Sequence, residues 1–202
     1  EFPAMAENTH AEATLGGTRV LLLQRRLAGM PFVELFAVRE RAVDLWHILL
    51  RAVRAQGGGP CGYDAWNSLR LEAGIPWFGY DFDDKYIPHE AALESSHISF
   101  SKGCYTGQEI VERVRSRGHV NRRRVGLEFA GQVIPSSGTV LLAEGKDVGH
   151  VTSAANSYLL GRPIGMGYLR REASSPESQL QWTAGTARVI ELPVPAIQNG
   201  SA

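Results

Sequence analysis

The stretch Lys102-Gly103-Cys104-Tyr105-Thr106-Gly107-Gln108-Glu109 lies midway along the chain and separates two kinds of sequence pattern. Before it, strand-like runs are mixed with helical patterns; after it, short β-like runs alternate with turn residues. Within it, Thr106 and Glu109 form a Thr-x-x-Glu capping box, which predicts a helix from Thr106 to Ser116. We therefore expect a loop that leads into a helix just before a domain boundary.

The N-terminal side of this stretch combines strands with helices. Apolar runs at Thr18–Gln24 and Phe32–Val38, joined by a Gly/Pro segment, predict two antiparallel strands. Arg41–Arg54 is the clearest helix, because its apolar residues recur at helical spacing and form one stripe. A second helix is predicted over Asp64–Ala73. Two strands followed by an amphipathic helix indicate an α+β layer with the helix packed on the sheet.

The C-terminal side consists of short strand-like runs separated by turn residues. These runs are Arg124–Phe129, Thr139–Ala143, Asp147–Ser153, Ile164–Leu169 and Thr186–Leu192. Strands of this length and spacing predict a small antiparallel barrel or sandwich. The boundary is predicted near residues 118–121, which gives an α+β domain over residues 1–118 and a small β-barrel domain over residues 119–202.

Composition excludes several classes of protein. The 202 residues carry 21 Lys and Arg against 21 Asp and Glu, a balance that argues against a general nucleic-acid binder. Two cysteines without a CxxC pair argue against a disulfide framework and a structural zinc site, and the six histidines show no metal-ligand spacing. No apolar run is long enough to span a membrane. We therefore expect a folded protein with no metal site and no membrane partner.

Cys104 is the first candidate for chemistry. It lies near the predicted helix start and two residues after Lys102. Both the positive end of a helix dipole and a lysine ammonium stabilise a thiolate. Cys104 is thus a candidate nucleophile, redox thiol or transient metal ligand, with Lys102 beside it. The alternative is a small buried core residue, since free cysteines are among the most buried residue types.

Glu72 is the second candidate. It is spaced to share one face of the predicted second helix with Ala65 and Leu69. A carboxylate on an apolar face is costly unless it is paired or bound. It could accept hydrogen bonds from adjacent N–H donors of a pterin, or form an ion pair with an arginine such as Arg70.

A cluster of arginines is the third candidate. Six fall within twelve residues: Arg113, Arg115, Arg117, Arg122, Arg123 and Arg124. Arg113 and Arg117 are four residues apart on the predicted third helix and so share a face. The guanidinium group suits carboxylates and phosphates. The cluster could hold the glutamate tail of a folate, could bind RNA, or could form a solvated surface between two domains.

Two segments resemble the YgfZ/glycine-cleavage T-protein family of folate-binding proteins. Ser68-Leu69-Arg70-Leu71-Glu72-Ala73-Gly74-Ile75-Pro76 is similar to the family's R-L-E-A-G element, and residues 102–109 are similar to the K-G-C-Y-x-G-Q-E signature of the YgfZ branch. The resemblance implies a ferredoxin-like folate-binding subdomain, incomplete at its N-terminal side, followed by a small antiparallel β-barrel. In this family a further N-terminal region completes the folate site.

The resemblance also implies a function. It points to a tetrahydrofolate-binding accessory protein for assembly or repair of iron–sulfur clusters, with iron–sulfur client enzymes or cluster-assembly proteins as partners. Cys104 and Lys102 are the implied catalytic residues, and Glu72 is the implied pterin contact. The other implied cofactor-binding residues are motif members or belong to the arginine cluster: Tyr105, Gln108, Glu109, Arg113 and Arg117.

Two other functions stay open. The first is a folate-dependent aminomethyltransferase of the glycine cleavage system, which takes its aminomethyl group from a lipoyl carrier. The second is a non-enzymatic module that binds RNA or protein through the arginines and the barrel. The expected location is the bacterial cytoplasm, or the mitochondrial matrix if a targeting segment precedes the chain.

Overall fold

A computed structural model describes residues 5–27 and 29–195 of the chain. Its strands and helices, in chain order, are β1 (His10–Leu15), β2 (Thr18–Leu27), β3 (Met30–Phe36), α1 (Ala42–Ala55), α2 (Tyr63–Glu72), α3 (Glu94–His97), α4 (Gln108–Arg117), β4 (Arg122–Phe129), β5 (Val140–Ala143), β6 (Lys146–Ser157), β7 (Arg162–Arg170), β8 (Gln179–Trp182) and β9 (Gly185–Ile190). They divide into two compact units, the first ending at Ala65 and the second beginning at Trp66. Among these helices, none is long and apolar enough to cross a membrane.

The first unit is a three-stranded antiparallel sheet with one helix. The strand order is β1-β2-β3. Side chains alternate between the two faces of a strand, so Val20 and Leu22 of β2 point the same way. Both are buried against Leu45 of α1. The predicted packing of a helix on a sheet, and with it the α+β class, is confirmed.

The sheet differs from the sequence prediction at both ends. Strand β1 was not predicted, because its residues are small or polar and alternate only between exposed and half-buried positions. Pairing with β2 supplies its backbone hydrogen bonds instead, with His10 opposite Leu23 and Leu15 opposite Thr18. Strand β2 also runs to Leu27, through part of the segment predicted as a turn.

The second unit contains a closed six-stranded antiparallel barrel. The strand order is β4-β7-β6-β5-β8-β9, and β9 returns to pair with β4. Its interior is filled by apolar side chains that include Leu127, Phe129, Leu169 and Trp182. The predicted antiparallel barrel is therefore confirmed. Strand β8 was missed because only two of its four residues are buried, which is too short a pattern to recognise.

Helix α2 packs on the other face of barrel strand β7. Leu71 is fully buried against Ile164 and Met166, which alternate along β7 with Gly165 and Gly167. Because successive side chains of a strand point to opposite faces, Ile164 and Met166 lie away from the barrel interior. The helix that carries the R-L-E-A-G element is thus fixed to the barrel wall.

Candidate functional site

A buried carboxylate, Asp81, fixes α2 and the following loop to the barrel. Its Oδ2 accepts hydrogen bonds from Arg70 Nη1 at 2.5 Å and from the Trp77 backbone N–H at 2.9 Å. Its Oδ1 accepts from Thr152 Oγ1 at 2.6 Å and from Ser153 Oγ at 2.5 Å. Four donors on one carboxylate satisfy the strong requirement of a buried charge for partners. We call these five residues the Asp81 cluster.

A bulge in β6 makes this cluster possible. In a regular strand, consecutive side chains such as those of Thr152 and Ser153 would point to opposite faces. The pairing of β6 with β7 shifts register between Val151 and Ser153, which is the sign of a β-bulge or similar irregularity. Both hydroxyl groups therefore reach Asp81. Sequence reasoning missed Asp81, although it lies among aromatic residues seven positions after Gly74, the last residue of the R-L-E-A-G element.

Glu72 lies at the end of α2 and is held by the barrel. Its Oε1 accepts hydrogen bonds from Ser157 Oγ at 2.7 Å and from the Leu159 backbone N–H at 3.1 Å. Its backbone carbonyl accepts from the Val194 N–H at 2.8 Å. Within residues 5–27 and 29–195, Oε2 makes no hydrogen bond. The carboxylate is thus fixed through one oxygen and keeps the other as an acceptor.

The ion pair considered for Glu72 does not form. Arg70 is directed to Asp81 instead, and its Nε also donates to Asn67 Oδ1 at 2.8 Å. The guanidinium carbon lies 4.7 Å from the centroid of the Trp77 ring. Arg70 therefore has a structural role, and it does not neutralise the negative charge of Glu72.

The K-G-C-Y-T-G-Q-E segment is a surface loop that leads into α4. Cys104 is an exposed free thiol, so the alternative of a buried core residue is wrong. Helix α4 begins at Gln108, and its N-cap is Gly107 in the left-handed conformation, with φ of 90° and no side-chain cap. The predicted capping box is also wrong, because the Glu109 carboxylate accepts a hydrogen bond from Arg113 Nη2 at 2.8 Å instead of reaching back to the backbone of Thr106.

A cavity of about 280 Å³ is lined by four motif residues, Lys102, Tyr105, Thr106 and Gly107. The Lys102 ammonium lies 4.5 Å from the centroid of the Tyr105 ring. Tyr105 Oη is buried and has no hydrogen-bond partner in the described part of the chain. Cys104, Gln108 and Glu109 are not among the lining residues of this cavity.

The arginine cluster is dispersed over several environments. Arg113 is on the surface and pairs with Glu109 at 2.8 Å. Arg122 donates to Glu90 at 3.0 Å, and this hydrogen bond raises its pKa. Arg124 is buried, donates from Nε to the Ala91 carbonyl at 2.8 Å, and burial lowers its pKa.

Arg117 is the last residue of α4, and its side chain lies outside the described part of the chain.

Two clefts of about 620 Å³ border the arginine cluster and share Arg123 and Ser174. The first lies beside Ala73 and Gly74, directly after Glu72. Among the described residues, no group of three or more His, Cys, Asp or Glu could hold a metal ion.

Two family profiles match this chain. Residues 3–102 match the GCVT N-terminal domain, and residues 122–194 match the glycine cleavage T-protein C-terminal barrel domain. The second match begins at the first residue of β4 and includes all six barrel strands. The barrel seen in the structure is therefore the barrel of that family.

Curated relatives carry one name. The aminomethyltransferase of Streptomyces coelicolor is 37% identical over 171 residues, 82% of this chain and 45% of that protein. The aminomethyltransferases of Halothermothrix orenii and Nostoc sp. are 32% and 34% identical, over 89% and 91% of this chain and 51% and 49% of those proteins. The chain thus spans about half the length of these relatives.

A solved structure supports the fold. The glycine cleavage system aminomethyltransferase T from Bartonella henselae superposes with a TM-score of 0.62, over 94% of this chain and 77% of that chain. The sequence identity is 20%, so the similarity concerns the fold alone.

These comparisons correct the function expected from the K-G-C-Y-x-G-Q-E signature. The curated relatives, at 27% to 37% identity, are named aminomethyltransferases, and none of those names refers to iron–sulfur clusters. The main prediction of an iron–sulfur accessory protein is wrong, and so are its iron–sulfur partners. Tetrahydrofolate as the cofactor agrees with the relatives. Because both parts of the sequence match, the chain belongs to the glycine cleavage T-protein family.

Proposed function

We propose that this chain carries part of the folate site of an aminomethyltransferase. The observation that carries the proposal is the state of Glu72, which is fixed by Ser157 and Leu159 through one oxygen and keeps its second oxygen as an acceptor. A carboxylate in this state can accept a hydrogen bond from the N–H donors of a pterin without rearranging. The names of the curated relatives favour the same reaction class.

The proposed reaction transfers an aminomethyl group from a lipoyl sulfur to tetrahydrofolate. The carbon–sulfur bond breaks, and the sulfur leaves as a thiol after taking a proton. The carbon forms bonds to two folate nitrogens, which lose their protons, and the amino group leaves as ammonium. No electron acceptor is needed. The contribution assigned to Glu72 is to bind and orient the pterin for this transfer.

The partner under this proposal is a lipoyl-bearing carrier of the glycine cleavage system, and the location is the cytoplasm. Lys102 and Tyr105 would be ligand contacts, since they line the cavity beside α4. Cys104, Gln108, Glu109 and Arg113 would border that cavity from the surface loop and helix. Three of them, Cys104, Gln108 and Glu109, belong to the K-G-C-Y-x-G-Q-E signature, and for these the resemblance to the YgfZ branch remains a proposal about this surface only.

The first test replaces Glu72 with Gln in the full-length protein. The glutamine carbonyl can still accept from Ser157 and Leu159, but its NH₂ group no longer accepts a pterin proton. We expect the affinity for tetrahydrofolate in a calorimetric titration to fall at least about tenfold, as for the loss of a hydrogen bond to a charged group. The melting temperature should change little.

Glu144→Gln is the matched control, because Glu144 lies on an exposed turn between β5 and β6. The activity itself is tested by release of methylenetetrahydrofolate from an aminomethyl-lipoyl substrate. Unchanged folate affinity in Glu72→Gln would remove the role given to Glu72. A protein that binds folate but releases no methylenetetrahydrofolate would overturn the aminomethyltransferase activity.

A further inference from the structure

We propose that the cleft between α4 and the barrel is an anion site for a ligand with two or more closely spaced carboxylate or phosphate groups. This basic cleft, of about 620 Å³, is lined by residues that include His89, Glu94, Arg115, His119, Arg123 and Arg171. It contains neither Glu72 nor the motif residues 102–109. The proposal therefore does not depend on folate binding.

The charge of the basic cleft is the first argument. Its lining has three arginines, Arg115, Arg123 and Arg171, and a single carboxylate, Glu94. The chain as a whole has no excess of positive charge, so this concentration is local. A local basic cleft favours a small anion over a long nucleic acid, which needs an extended basic surface.

The availability of these arginines is the second argument. Within the described residues, the Arg171 side chain makes no hydrogen bond or ion pair. Arg123 approaches Glu94 only to 3.9 Å, which is beyond hydrogen-bond distance. By contrast, Arg188, outside this cleft, bonds to Glu128 at 2.7 Å and to Glu177 at 2.8 Å. Arg115 makes only long contacts with Glu112, at 3.4 and 3.5 Å. The cleft thus holds guanidinium groups with free donors, above all that of Arg171.

His89 is the third and independent argument. Its side chain lines the cleft yet is only 7% exposed. Its Nδ1 is buried and has no hydrogen-bond partner among residues 5–27 and 29–195. Buried polar atoms are nearly always satisfied, and a neutral imidazole can carry its proton on Nδ1. An anionic oxygen that reaches Nδ1 from the cleft would accept a hydrogen bond from that N–H.

The number of acid groups follows from the number of donors. A guanidinium binds one carboxylate or phosphate through two parallel N–H groups. Arg115 is held in place by Phe100, whose ring centroid lies 4.5 Å from its guanidinium carbon. Arg123 and Arg171 supply two further forks along the same cleft. A single acid group would leave most of these donors unused, so the ligand carries at least two.

The experiment titrates the full chain with pyrophosphate and, separately, with citrate, at constant ionic strength in a calorimeter. We expect saturable binding of one ligand per chain to at least one of the probes. Arg171→Gln and Arg123→Gln should each weaken it at least tenfold. Arg170→Gln is the matched control, because Arg170 is exposed and adjacent to Arg171 but does not line the cleft.

His89→Leu gives a separate readout, since it removes the buried donor at similar side-chain volume without changing a permanent charge. We expect weaker binding with an unchanged circular dichroism spectrum. Tighter binding of pyrophosphate assigns the cleft to phosphates, and tighter binding of citrate assigns it to carboxylates. Absence of saturation with both probes overturns the proposal. So does an equal loss of affinity in Arg170→Gln, which would indicate a general effect of charge.

Discussion

At the scale of single residues, one buried charge accounts for the position of α2. The side chains of Arg70 and Asp81 are 1% and 0% exposed, and their contact is complemented by Thr152, Ser153 and the Trp77 N–H. Such a pair stabilises little compared with an apolar replacement of both partners, but removal of one partner leaves the other charge buried and unpaired. The structure is therefore sensitive to the charge at Asp81.

Asp81→Asn tests this sensitivity. The amide keeps the size of the side chain but leaves the Arg70 charge uncompensated, so we expect the free energy of unfolding to fall by about 3–5 kcal/mol. Urea denaturation measures the change. Asp83→Asn is the control, because Asp83 is partly exposed and its ion pair with Lys85 Nζ spans 3.5 Å. The Lys85 backbone N–H donates to Asp83 Oδ1 at 2.9 Å, and an asparagine oxygen can still accept it, so the change should cost at most about 1 kcal/mol. Similar losses in the two variants would contradict the role of the Asp81 cluster.

Tyr168 offers a prediction about pH. Its ring stacks on Tyr86 with centroids 4.0 Å apart, and its hydroxyl is buried without a partner in the described part of the chain. Burial raises the pKa of Tyr168 above its usual value of about 10. Above that pH the unfolded chain releases the proton and the folded chain keeps it, so stability present below about pH 10 declines as the pH rises further.

Tyr168→Phe should remove this part of the decline. At pH 7 it should also raise the free energy of unfolding by about 1 kcal/mol, because it deletes an unsatisfied buried hydroxyl. Urea denaturation at pH 7 and at pH values above 10 measures both effects. Tyr158→Phe is the matched control, since Tyr158 is 80% exposed and should change neither quantity. A Tyr168→Phe variant with the wild-type pH dependence would contradict the assignment.

At the scale of elements, the sequence predicts the bounds of a helix well where its apolar residues recur over a long stretch and pack on a single neighbouring element. Helix α1 was predicted to within one residue at each end, because its apolar stripe needs only the sheet beneath it. Helix α4 was predicted two residues early, because Gly107 takes the cap position instead of Thr106. The partners of Glu72 could not be predicted, because Ser157 and Leu159 lie more than eighty residues further along the chain.

The glycines of β7 show the same limit. Gly165-Met166-Gly167 matches no recognisable motif in the sequence, but the structure gives both glycines a role. A Cβ at Gly167 would lie 2.5 Å from the His150 carbonyl oxygen, and one at Gly165 would lie 2.5 Å from the Ser153 oxygen. Both glycines permit the close approach of β6 and β7 at the place where β6 bulges.

Gly167→Ala should therefore destabilise the barrel. The added methyl group meets backbone on the neighbouring strand, which cannot move aside as a flexible side chain would. We expect a loss of about 1–3 kcal/mol, typical of an overpacked core, in thermal or urea unfolding. Gly103→Ala is the control, because a Cβ there meets nothing within 4 Å. A neutral Gly167→Ala variant would show that the two strands have room to separate.

At the scale of the whole molecule, the two units differ in whether their sheets have unpaired edge strands. The three-stranded sheet leaves one edge of β1 and one edge of β3 without a strand partner among the described residues. The barrel has no such edge, because β9 returns to β4. Backbone amides in a closed sheet open only when the whole barrel opens, whereas edge strands fray locally.

Hydrogen exchange should separate the two units. We expect peptides from β4, β6 and β7 to exchange most slowly, and peptides from β1 and β3 to exchange faster, when the native protein is followed by mass spectrometry. The central strand β2 serves as the internal reference, because it is paired on both sides without belonging to a closed sheet. Slower exchange in β1 than in β7 would contradict this order of stabilities.

The Asp81 cluster also sets an order of events during synthesis. Asp81 leaves the ribosome together with Arg70 and Trp77, but Thr152 and Ser153 follow 71 and 72 residues later. At ordinary elongation rates this interval lasts on the order of ten seconds. Until it ends, the Oδ1 atom of Asp81 has only water as a donor, and α2 has no barrel strand to pack on. The helix that carries Glu72 can reach its final place only after most of the chain has been translated.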